Sequence, residues 1–135
     1  MRKIDKIIVH CTATRICATP EKIVQYHVMN LCWHDCGYHF LIRHDGEVVP
    51  MRPVEKVGAH CKGHNEDSIG IALIGGKYSF DFSLEQLISL VSLLKTLCRK
   101  YSISKNEIYN HYDFNKDKAC PRFNIQNLIK YEKFP

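Results

Sequence analysis

Lys6-Ile7-Ile8-Val9-His10 sets three β-branched residues in succession, and because strand side chains alternate between faces, both faces of this run are apolar. A strand without a polar face belongs in the interior of a sheet that helices cover on both sides. Ser68 to Ile74 is a second such run, closed by Gly75-Gly76. Tyr38 to Arg43 reads as a further strand, Asp45-Gly46 as a hairpin turn signal, and Glu47 to Met51 as the return strand. Ile108 to His111 reads as a last short strand.

Helices fall between these runs. Thr19-Pro20 is a helix start, with threonine as the cap and proline at the first helical position, and Ile23, Tyr26 and His27 recur at helical spacing. Ser83-Leu84-Glu85-Gln86 fits a capping box. It opens the clearest helix in the chain, with Leu87, Leu90, Val91, Leu94, Leu97 and Cys98 on one stripe. Asn124 caps a short final helix that turns Ile125, Leu128 and Ile129 inward. The expected fold is α/β, a single domain over residues 1–135 with a central mixed sheet flanked by helices.

A chain of 135 residues can bury a core without disulfides or a structural metal. Seven cysteines leave one unpaired in any full pairing scheme, so free thiols are expected, with Cys11, Cys61 and Cys98 as small core residues. Cys32 and Cys36 have a metal-like spacing, but no second cysteine pair completes a four-ligand site. The net charge of +5 is spread along the chain, not gathered in one stripe, which argues against nucleic acid as the main ligand. The apolar run after the basic N-terminus stops at Val9, too short for a signal peptide, and no segment is long enough to span a membrane. Synthesis in the cytoplasm, with action on its polymer after release or export, is the expectation.

The chemistry gathers in Tyr109 to Pro121, which holds an imidazole, a thiolate candidate and ammonium groups. His111 and Cys120 are nine residues apart, a separation that matches neither one face of a helix nor one side of a strand, so a loop must bring Cys120 back. Nitrogen and sulfur ligands meeting on a loop suggest zinc, and a third ligand must come from elsewhere. His10, at the end of the first strand, is the candidate.

His10-Cys11-Thr12-Ala13-Thr14, Gly37-Tyr38-His39-Phe40, Gly58-Ala59-His60, Asn65 to Ile71 and His111 to Pro121 occur in that order. Together they resemble the zinc-dependent N-acetylmuramoyl-L-alanine amidases of the phage T7 lysozyme type, relatives of the peptidoglycan recognition proteins. The resemblance runs from about Lys6 to Phe123 and implies the same architecture, with the zinc site at one edge of the sheet. It implies one catalytic zinc ion on His10, His111 and Cys120, with a fourth position open to water.

The resemblance also assigns Lys118 and Tyr38 to catalysis. An ammonium two residues before Cys120 can hold a developing oxyanion, and a phenol can donate to the same oxygen. Lys118 is aligned by the Lys-Ala-Cys-Pro string, and Lys116 is the fallback. In this comparison His60 and Asn65 lie on strings that border the substrate groove, with His60 equally open to a structural reading, while Thr12, just past His10, is placed to contact a peptide stem. Asn65 has a second reading as a loop brace through its backbone bonds, and Thr12 a second reading as a turn former. His39 is expected on the opposite face from Tyr38, as a satisfied buried histidine. Trp33 is read as core.

The implied reaction is hydrolysis of the amide between N-acetylmuramic acid and L-alanine, in an endolysin-like monomer acting on peptidoglycan or soluble muropeptides. A recognition module that binds without cutting is the alternative, disfavoured because Cys120 is present. Phage T7 lysozyme also restrains its phage RNA polymerase, so a polymerase-type protein partner stays open.

Overall fold

β1 (Lys6–Cys11) runs through the middle of the molecule with Ile7, Ile8 and Val9 fully shielded from solvent. The computed structural model describes residues 2–30 and 36–135. β1 pairs in parallel with β4 (Ser68–Leu73) on one side and with β5 (Ile108–Asn110) on the other. β2 (Phe40–Ile42) pairs in parallel with β4, and β3 (Val48–Pro50) closes the far edge antiparallel to β2. The order is β3-β2-β4-β1-β5, the mixed sheet expected from the apolar runs. β1 extends one residue past its run to Cys11, whereas β2, β3, β4 and β5 are each shorter than the stretch read for them because pairing stops where the chain turns away. Tyr38 and His39 therefore precede β2, and His111 follows β5 in a 3-10 turn.

The two faces of the sheet carry different helices. Ile7, Val9, Ile69, Ile71 and Leu73 pack with Leu90, Leu94, Leu97 and Cys98 of α2 (Leu84–Tyr101) and with Ile125 of α3 (Ile125–Leu128). Leu41, Ala72 and Ile74 pack with Ile23 of α1 (Pro20–Gln25) on the other face. Each such fully buried aliphatic side chain contributes about 1.5–3 kcal/mol relative to exposure.

The capping box of α2 is formed as read. Gln86 N–H donates to Ser83 Oγ at 3.0 Å, and Gln86 Oε1 accepts from Ser83 N–H at 3.0 Å. The same buried amide donates from Nε2 to the carbonyls of Ile42 and Ile74, each at 3.0 Å, tying the helix start to the ends of β2 and β4. Leu87 and Val91 lie only partly buried at the edge of the stripe, as does Leu128 in α3.

The three residues at helical spacing are not equally buried. Tyr26 is 53% exposed, whereas Ile23 and His27 are buried. Regular α-helix ends at Gln25 and a π-turn follows over Tyr26–Asn30, while Tyr26 itself keeps helical backbone geometry, its N–H on the Lys22 carbonyl, and lines the cleft described below instead of entering the core. Cys11, Cys61 and Cys98 are buried free thiols, as expected. Cys32 and Trp33 lie outside the described residues, so the Cys32–Cys36 pair is not described. No helix among the described residues is long and apolar enough to cross a membrane.

Candidate functional site

The carboxyl ends of parallel strands are where an open α/β sheet presents its loops, and the predicted ligands converge there. His10 is the fifth residue of β1, on the same face as Ile8 and therefore turned towards the α1 side. His111 leaves the end of neighbouring β5, placing both histidines at the β1–β5 side of the sheet. The loop from His111 returns as its length demanded, because Tyr112 N–H donates to the Cys120 carbonyl at 3.1 Å. One ligand atom each from His10, His111 and Cys120 then lies within 4.8 Å of the others.

This donor set suits a borderline-soft divalent cation. His10 Nδ1 and His111 Nδ1 face one another at 3.1 Å, and Cys120 Sγ accepts the Cys11 N–H at 2.7 Å. His10 is 1% exposed, and burial, then His60 and His111, hold its imidazole well below its usual range. Burial and the Lys118 ammonium lower His111 in the same direction. Both rings are therefore held neutral, the form that ligates. Contact with the Cys11 thiol and burial push the Cys120 thiol up, against the Cys11 N–H and Lys118, which draw it down. A coordinated cation would override that balance, since a coordinating thiol is deprotonated outright.

A cleft of about 930 Å³, within the size range of small-molecule sites, opens beside this group with His111 in its lining. Thr12, Tyr38, His60, Asn65, His111 and Lys118 all line it. The Tyr38 ring sits 5.3 Å from that of His10. Burial, followed by Cys120, raises its phenol far above the usual range, so it stays protonated. Lys118 is exposed on the cleft wall, while Lys116 is exposed and is not among the lining residues.

Asn65 Oδ1 accepts the N–H groups of His60 and Cys61 at 2.9 and 2.8 Å, the loop brace that its residue type suggested. Thr12 Oγ1 accepts Gly75 N–H at 3.1 Å, so the hydroxyl that borders the cleft also holds the Gly75-Gly76 turn. His39 is fully buried, accepting Gly70 N–H at Nδ1 (3.0 Å) and facing the Lys56 carbonyl with Nε2 (2.8 Å). Lys22 and Tyr26 from the α1 region, with Lys62 from the loop before β4, also line the cleft. No spacing signal marks Lys22 or Lys62 as cleft residues: the packing of α1 against the sheet brings Lys22 to this wall, and the loop before β4 brings Lys62.

Residues 1–123 match the family model described as N-acetylmuramoyl-L-alanine amidase. The chain belongs to the N-acetylmuramoyl-L-alanine amidase family. It is 39% identical over 129 residues to the endolysin of Escherichia phage T7, covering 90% of this chain and 83% of that protein. Peptidoglycan-recognition protein SC2 of Drosophila simulans is 33% identical over 123 residues, covering 90% of this chain and 66% of that one. The structure of N-acetylmuramoyl-L-alanine amidase LysC from Clostridium intestinale URNW superposes with a TM-score of 0.86 at 30% identity, covering 99% of this chain and 88% of that one. As a member of this family the chain is an N-acetylmuramoyl-L-alanine amidase, and the five motifs that carried the resemblance surround a single cleft.

Proposed function

We propose that this amidase cleaves the bond between N-acetylmuramic acid and L-alanine in peptidoglycan, using one zinc ion held by His10, His111 and Cys120. The observation that carries the reading is the convergence of these three ligand atoms within 4.8 Å beside a cleft that His111 lines and that is large enough for a sugar–peptide junction. When bound, zinc lowers the pKa of a water and polarises a carbonyl.

The chain supplies the rest. His10 and His111, held neutral by burial, offer lone pairs without a proton to displace. Lys118 brings a positive charge to the cleft wall, where it stabilises the amide oxygen as that oxygen gains charge. Tyr38, kept protonated, donates a hydrogen bond to the same oxygen. The cleft walls, Thr12 and the loop braced by Asn65 among them, orient the stem peptide.

The test is digestion of purified peptidoglycan, with chelation and zinc re-addition, and mass spectrometry of the products. Free glycan strands with intact stem peptides beginning at L-alanine are expected, lost on chelation and restored by zinc. Sacculi that bind the protein but yield no such products at any zinc level would replace the enzyme reading with a recognition module.

A further inference from the structure

We propose that His60 and Ser68 are positioning residues that hold His10 in the tautomer a metal requires, with a bare Nδ1 turned towards His111 and Cys120. The assignment rests on the zinc reading above and adds a hydrogen-bond chain behind the ligand.

The direction of the chain is set at its far end. The His64 carbonyl can only accept, and Ser68 Oγ lies 2.6 Å from it, so the hydroxyl proton points there. Ser68 Oγ therefore presents a lone pair to His60 Nε2, 3.2 Å away, and His60 Nε2 carries the ring proton. The neutral His60 ring is then bare at Nδ1, which faces His10 Nε2 at 2.8 Å. His10 must donate from Nε2, and its lone pair falls on Nδ1. That atom is 3.1 Å from His111 Nδ1 and belongs to the ligand group.

The position of His60 is fixed as tightly as its proton. A Cβ built at Gly70 would meet His60 Cγ at 2.5 Å, and one at Gly58 would meet His60 Cδ2 at 2.8 Å, so the ring fills the space that side chains at both glycines would need. The backbone of His60 is held as well, its N–H bound by Asn65 Oδ1 at 2.9 Å. Ligating histidines commonly donate their second N–H to a carboxylate or carbonyl. Here an imidazole takes that place and passes the constraint to a serine and a backbone carbonyl.

The chain separates residues by chemistry, which makes it testable. Asparagine at position 60 sets an amide oxygen near the place of Nδ1 and keeps an acceptor for His10, whereas leucine removes it. Zinc affinity is measured by competition with a chromogenic chelator on folded wild type, His60→Asn, His60→Leu and Ser68→Ala, with circular dichroism confirming the fold. His60→Leu should weaken zinc roughly 10- to 100-fold, Ser68→Ala by a smaller factor, and His60→Asn by less than about threefold. Long-range proton–nitrogen NMR of the metal-free wild type should place the His10 proton on Nε2, a readout that depends on no variant.

A proton on His10 Nδ1, or equal zinc loss in His60→Asn and His60→Leu, would overturn the assignment alone. A wild-type chain that takes up no zinc would overturn the proposed function and this assignment with it.

Discussion

His10 Nδ1 and His111 Nδ1 face each other at 3.1 Å although 101 residues of chain separate them. Two neutral imidazoles so placed need a proton or a cation between their lone pairs, and Cys120 supplies the sulfur that makes a cation the better occupant. Cys120→Ala should lower zinc affinity by at least about a hundredfold and abolish amide cleavage while leaving the fold intact. Inductively coupled plasma analysis after dialysis, beside a thermal melt, checks it. Stoichiometric zinc retained by Cys120→Ala would remove the thiolate from the ligand set.

Lys118→Ala should reduce kcat by about 10²–10³, with little change in zinc content, because its charge is needed as the substrate oxygen becomes anionic. Lys116→Ala, whose side chain is exposed and not among the residues lining the cleft, should cut at nearly the wild-type rate. Steady-state kinetics on a soluble muropeptide decides between them. The reverse pattern would transfer the role to Lys116.

Acid should weaken the metal-free fold through His39. Burial lowers this imidazole from 6.5 to about 4, and protonation would strip the acceptor that Gly70 N–H uses. The folded pKa lies below the unfolded one, so the unfolded chain binds the proton first as pH falls. Stability is therefore complete above about pH 6.5 and declines towards pH 4, by up to about 3 kcal/mol from this residue. Urea midpoints at pH 7, 5 and 4, with NMR titration of the His39 ring, test this. A His39 that titrates near 6.5 would contradict it.

Gln86→Leu should destabilise the chain by about 2–3 kcal/mol despite the gain in apolar character. The substitution leaves the Ile42 and Ile74 carbonyls without their side-chain donor and opens the cap at Ser83. Chemical denaturation measures the change, and a loss below about 0.5 kcal/mol would show that water replaces the amide.

Asn65→Ala should cost about 2 kcal/mol by orphaning the His60 and Cys61 N–H groups, and should raise KM more than it lowers kcat. If stability is unchanged and only KM rises, Asn65 acts on substrate directly and the brace is secondary.

Much of the fold was legible along the chain because its signals are local. The apolar run at Ile7 to Val9 required an interior strand, Ser83 with Gln86 required a helix start, and the nine-residue gap between His111 and Cys120 required a returning loop. Motif order brought forward Tyr38, Lys118, Thr12, His60 and Asn65 as candidates, and all five line the cleft. Local periodicity did not separate core from cleft at Tyr26, which shares the helical spacing of Ile23 and His27 but is 53% exposed on the cleft wall.

By itself the sequence determined the strands, the caps and the candidate ligands, since each depends on residue type and near neighbours. Tertiary structure decided which cations reach the cleft wall, with Lys22 and Lys62 joining Lys118. It also decided that Gln86 binds the ends of two strands and that His60, which lines the cleft, also meets His10 Nε2. These relations depend on the parallel register of β1 with β4 and of β2 with β4, and on α1 packed against that sheet, which juxtapose residues far apart in the chain.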